Sequence, residues 1–131
     1  MTKIISPSLL AADFSNLQSA CEMINASEAQ WLHIDVMDGV FVPNISFGFP
    51  VLEAVKTHCT KPLDVHLMII EPEKYIERFV EAGANILTVH LETLKNPITT
   101  LRQIREMGVK AGLTINPDIS VESLRSLVSE A

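Results

Sequence analysis

The feature that most restricts this chain is a repeated order, a short apolar run followed by a longer amphipathic stretch, five times in succession. A short run rich in Val, Ile and Leu suits a buried strand, and a longer stretch with apolar residues every three or four positions suits a helix lying on it. Strands that alternate with helices build a parallel sheet, because a parallel neighbour is reached only through a crossover. The runs Lys3–Ser6, Trp31–Met37, Pro62–Met68, Asn85–His90 and Lys110–Ile115 are read as strands. Helices are expected from Asp13 or Ser15 to about Ala26, Pro50 to Thr57, Glu71 to near Gly83, Pro97 to Met107 and Ser120 to Val128. Asp13 or Ser15 can cap the first of these, and Pro72 sits early in the third with acids around it. Gly83 and Gly108 each stand after a helix and before a strand, where a short turn needs them.

No low-complexity linker or shift in composition interrupts the pattern, so residues 1–131 are read as part of a single domain. With 47% hydrophobic residues the chain can form a core. A net charge of −6 without a basic run offers no footprint for nucleic acid or for anionic lipid, which leaves small molecules as the expected partners. No run approaches the roughly 18 apolar residues of a membrane span. The segment Met1–Pro7 lacks the apolar core of a secretory signal, and Cys21 and Cys59 show no CxxC spacing and read as reduced packing residues. A cytoplasmic setting is expected.

Parallel strands with helical crossovers close either as an open doubly wound sheet or as a barrel of eight strands. The turn after the first strand, Ser8-Leu9-Leu10-Ala11-Ala12-Asp13, carries no glycine-rich dinucleotide fingerprint, and no GxxxxGK[ST] loop occurs. Barrel enzymes gather functional residues at the C-terminal ends of their strands, where Ser8, Asp35, Met37, His66, Met68, His90 and Asn116 fall on this reading. The expected fold is therefore α/β, a TIM (β/α)8 barrel represented by about five βα units, fewer than the eight that closure requires.

Two segments carry the chemistry, His33-Ile34-Asp35-Val36-Met37-Asp38-Gly39 and Asp64-Val65-His66-Leu67-Met68. Alternation along a strand puts His33, Asp35 and Met37 on one face, and likewise Asp64, His66 and Met68. If the two strands are neighbours, their imidazoles and carboxylates converge on one volume suited to a divalent metal. A lone inward histidine is usually a core residue; two of them, each two places from an aspartate, favour a metal. Asp38 has the opposite parity to Asp35. It and Asp64 are read as tying neighbouring strands or loops by hydrogen bonds. The stretch from Asp38 to Phe49 is too long and irregular for a minimal connection and is expected to be functional. His90 and Asn116 are left unassigned, with structure as the favoured reading of both, and His58 is read on a helix surface.

These motifs resemble the ribulose-phosphate 3-epimerase family. Ile5-Ser6-Pro7-Ser8-Leu9-Leu10-Ala11-Ala12-Asp13-Phe14 is similar to its first strand and turn, and His33 through Gly39 with Phe41-Val42-Pro43-Asn44-Ile45-Ser46-Phe47-Gly48 to its second strand and metal loop. Asp64–Met68 is similar to its third strand and Gly112-Leu113-Thr114-Ile115-Asn116-Pro117 to its fifth. The resemblance implies interconversion of D-ribulose 5-phosphate and D-xylulose 5-phosphate by proton transfer at carbon 3 through an enediolate. It implies that His33, Asp35 and His66 bind one divalent ion, zinc first with iron, manganese or cobalt as alternatives, and that Asp35 is also an acid/base. By the same likeness His66, Met37 and Met68 meet the substrate, with the methionines covering the enediolate; core filling is the other reading of the two methionines. Ser8 is either a substrate hydrogen-bonder or a turn residue. The family's second acid and its phosphate loops belong to later strands, with no counterpart in these residues.

Two alternatives stay beside this one. The motifs do not fix sugar length, so a hexulose 6-phosphate such as D-allulose 6-phosphate is a second substrate reading. The other is a non-catalytic half-barrel. Unpaired sheet edges in such a piece predict association with further copies, a homo-oligomer.

Overall fold

The structure is a computed structural model and describes residues 3–131; Met1 and Thr2, part of the segment read for a secretory signal, lie outside the described residues. Strands β1 (Leu32–Met37), β2 (Leu63–Met68), β3 (Ala84–His90) and β4 (Lys110–Thr114) form one sheet in chain order, each pair parallel. Helix α1 (Leu17–Ala26) precedes β1, and α2 (Phe49–His58), α3 (Ile76–Glu81) and α4 (Pro97–Glu106) make the three crossovers. This is the α/β layout of a partial TIM barrel.

The strand sequences explain which face the helices cover. Leu32, Ile34 and Val36 of β1, Leu63, Val65 and Leu67 of β2, and Leu87 and Val89 of β3 are all buried, and they pack against Cys21, Leu52, Val55, Ile76, Phe79, Leu101 and Ile104. Burying each large aliphatic side chain is worth about 1.5–3 kcal/mol, so this one interface dominates the stability of the fold. The alternate residues of β1 and β2 point the other way and are only half-buried. On that face Thr88 of β3 leans across Gly112 of β4, where an added Cβ would lie 2.2 Å from the threonine Oγ1.

Three expected elements differ. Residues 3–7 are extended but do not form a strand: the Ile5 carbonyl accepts from the Gln30 and Trp31 amides, the Pro7 carbonyl from the His33 amide, and Ser8 makes a single parallel bridge to His33. The donor half of a ladder is missing, since Pro7 has no N–H and the Ile5 amide donates to the Gln30 side chain at 2.7 Å. The third helix is split into a 3-10 turn at Pro72–Lys74 and α3, with Glu71 in the left-handed region at φ 47°. The fifth is no α-helix but two 3-10 turns, Val121–Leu124 and Val128–Glu130. Only Leu127 in that stretch is buried, while Val121 and Val128 are exposed, so little packing rewards a regular helix. The cap of α1 is Asn16, which accepts from the Ser19 amide, and not Asp13 or Ser15; Asp13 instead caps the 3-10 turn just before it by accepting from the Ser15 amide. Asn96 caps α4, whose first residue is Pro97.

Candidate metal centre

The register of the first two strands builds the site. Asp35 lies opposite His66 and His33 opposite Asp64, so four polar side chains share one patch of the uncovered face. Asp35 Oδ1 is the hub, 3.1 Å from His33 Nε2 and 2.9 Å from His66 Nδ1. Each imidazole uses its second nitrogen on an outer partner. His33 Nδ1 lies 2.7 Å from Asp64 Oδ2, which also accepts from the Ser6 hydroxyl at 3.3 Å. His66 Nε2 lies 2.8 Å from His90 Nε2, with the two rings stacked at 5.0 Å. A hydrogen-bonded chain thus runs from Ser6 through β1 and β2 to the end of β3.

Electrostatics follow this arrangement. The hydrogen bond that His33 donates to Asp64 raises the His33 pKa above its ordinary value, with Asp35 adding to it and burial opposing it. His90 is shifted the other way, first by burial and then by the neighbouring His66, although Glu92 counteracts part of this. The Glu92 carboxylate stands 3.6 Å from His90 Nδ1, beyond hydrogen-bond reach, and that buried nitrogen has no partner among the described residues.

The donor set suits a cation. Ligand atoms of His33, Asp35 and His66 all lie within 4.8 Å of one another, and two imidazoles with one carboxylate are what zinc and neighbouring first-row ions accept. Three protein ligands leave a coordination position open, as catalytic sites require. Asp64, on the far nitrogen of His33, has the place of an outer-shell carboxylate that fixes ring orientation.

The loop after β1 is tied down from both ends. Ser46 Oγ donates to the Asp35 carbonyl at 2.7 Å and accepts from the Met37 amide at 3.0 Å. Asp38 Oδ1 accepts from the Val40 and Phe41 amides and Oδ2 from the Ile70 amide, joining this loop to the one after β2. Burial works against ionisation of Asp38, but the amides outweigh it and hold the carboxyl below its ordinary value. The same loop lays Phe41 edge-on against His90, with ring centroids 4.7 Å apart.

The structure brings His33, Asp35 and His66 together and places Met37 and Met68 side by side at the ends of their strands on the same face. Ser8 stands next to His33 in the sheet, where its hydroxyl accepts from the Leu10 amide at 3.3 Å, the geometry of a turn. Asp38 and Asp64 are both engaged in hydrogen bonds, as read. Asn116 uses its amide to reach Glu92 Oε1 at 2.5 Å, and His58 lies exposed at the end of α2. The contacts of Ser46, Glu92 and His90 were not anticipated. For His90 a signal existed, since its parity with Ile86 and Thr88 puts it on the inner face.

A parallel β/α sheet that gathers imidazoles and carboxylates on the uncovered face of adjacent strands defines the class: a partial TIM barrel with a candidate metal site. The model of the ribulose-phosphate 3-epimerase family matches residues 4–131, and the chain belongs to that family. Among curated relatives named ribulose-phosphate 3-epimerase, the Synechocystis sp. protein is 48% identical over 123 residues, covering 92% of this chain and 54% of its own length. The Bacillus subtilis protein is 44% identical over 126 residues, covering 96% of this chain and 58% of its own. That of Eremothecium gossypii is 42% identical over 135 residues, covering 95% and 56%. The chain thus spans somewhat more than half the length of the curated relatives it matches. Among the described residues no helix is long and apolar enough to cross a membrane.

Proposed function

We propose that residues 1–131 are the N-terminal portion of a single ribulose-phosphate-binding barrel domain and supply the metal ligands and one acid/base of a ribulose-phosphate 3-epimerase. The substrates are D-ribulose 5-phosphate and D-xylulose 5-phosphate. The observation that carries this reading is the shared position of Asp35 Oδ1, within hydrogen-bond distance of both His33 and His66. Zinc is the ion the donor set favours, with iron, manganese and cobalt within its range.

Removing a proton beside a ketone leaves negative charge on oxygen, and a divalent cation bound here would stabilise that charge. Asp35 removes the carbon 3 proton on one face of the substrate and returns one. His33 and His66 hold Asp35 in place, and His66 together with Ser8 orients the sugar's oxygens. Met37 and Met68 cover the planar enediolate with polarizable, apolar surface and exclude water from it. Inversion needs a second acid on the opposite face. Asp38 and Asp64 do not serve, since the first is bound by three amides and the second by His33 and Ser6. The protein works in the cytoplasm as a homo-oligomer; β4, an edge of the sheet among the described residues, is a natural surface for association.

The test is exchange of the carbon 3 hydrogen of D-ribulose 5-phosphate in deuterated water, with the 131-residue chain, with chelator added, and with Asp35→Asn. Exchange that chelator and Asp35→Asn both abolish supports the assignment. Exchange without net epimerisation identifies one working base lacking its opposite-face partner. Exchange unaffected by Asp35→Asn refutes it.

A further inference from the structure

His90 is unusual among the buried groups: its side chain is 7% exposed, one ring nitrogen touches a candidate ligand, and the other has no partner among the described residues. A hydrogen bond between two ring nitrogens needs one donor and one acceptor, so the 2.8 Å contact forces the tautomers of His66 and His90 to be chosen together. His66 Nδ1 faces Asp35 Oδ1 at 2.9 Å, and this contact calls for the proton on Nδ1. His66 Nε2 then accepts from His90 Nε2, and His90 Nδ1 is left bare toward the Glu92 carboxylate, which accounts for its orphaned state.

Resting on the metal site proposed above, we propose that His90 and Glu92 are positioning residues that set the tautomer of His66 and free its Nδ1 for a cation. With a cation held on His66 Nδ1, the His66 proton would sit on Nε2 and be donated to His90 Nε2, and the His90 proton would sit on Nδ1, turned toward Glu92. Two ring protons are present before and two after, so the pair exchanges tautomers without gaining or losing charge. Glu92 is suited to receive the second proton's hydrogen bond because its Oε1 is anchored on the Asn116 amide while Oε2, 3.6 Å from His90 Nδ1, has only a few tenths of an ångström to close. Phe41, edge-on to His90, keeps the ring from turning away. Outer partners of this kind typically alter metal affinity 10- to 100-fold.

Two measurements on the 131-residue chain test this. Nitrogen-15 imidazole spectra should show His66 protonated on Nδ1 without zinc and on Nε2 with it, and His90 moving from Nε2–H to Nδ1–H over the same titration. Zinc affinity by chelator competition should fall about 10- to 100-fold in His90→Phe, which keeps the ring and its packing but offers no nitrogen. His90→Gln should recover most of the loss through its amide oxygen, and Glu92→Gln should lose less than His90→Phe. If the wild-type chain takes up no zinc, the proposed metal site fails and this inference with it. If the wild-type chain binds zinc while His90→Phe binds within twofold of it, or while His66 keeps its proton on Nδ1, only the role of His90 and Glu92 is overturned.

Discussion

The two faces of β1 and β2 make opposite use of neighbouring residues. On the helix side Ile34, Val65 and Leu67 are sealed from solvent, while one residue along, on the other side, His33, Asp35 and His66 are half-buried and bonded to one another. A six-residue strand thus carries the buried core on its even positions in β1 and the candidate metal ligands on its odd ones. The lesson is that the two properties should separate by mutation, since side chains on opposite faces share backbone but no contacts.

The sharpest test of that separation is Asp35→Asn. Exchange at carbon 3 should fall about 100- to 10,000-fold, the usual contribution of a positioned acid/base, while the thermal melting temperature changes little. Comparable loss of folding stability would break the comparison. Leu67→Ala, on the sealed face, should do the reverse: about 2–5 kcal/mol less stability in urea denaturation, with zinc affinity of the folded protein unchanged.

A smaller effect is expected where the inner face itself is tightly packed. Gly112→Ala should cost about 1–3 kcal/mol, because the new methyl group meets Thr88 Oγ1, and Thr88→Ala in the same chain should restore much of it in urea titrations. The smallest lies far from both faces. Glu71 is held at about 2 by hydrogen bonds from Lys74 and Lys95, below its ordinary 4.5. Its carboxylate therefore contributes stability above about pH 4.5 and loses that contribution as pH falls toward 2. Glu71→Gln should melt slightly earlier than wild type at pH 7 and no earlier at pH 2; because the group is exposed, a large difference at pH 7 would contradict this reading.

Most of the sheet and the inner-face parity were legible in the sequence because they depend on local alternation and on punctuation by Gly, Pro and capping residues. Asp35 facing His66 needed only the assumption that the second and third expected strands are neighbours. What escaped depends on partners remote in sequence. The first strand failed because pairing, not apolar content, defines a strand, and Pro7 and Gln30 remove its donors. The last helix failed because a good cap at Ser120 cannot substitute for packing. His90 lies 24 residues from His66, so its parity placed it on the right face but left its contact undetermined.

Asp38 carries one more consequence. Because a single carboxylate secures the amides of Val40, Phe41 and Ile70, the segments following two different strands are expected to open to solvent together. Deuterium uptake at those three amides should accelerate in concert in Asp38→Ala, making this side chain the hinge pin by which events at one crossover are felt at the other.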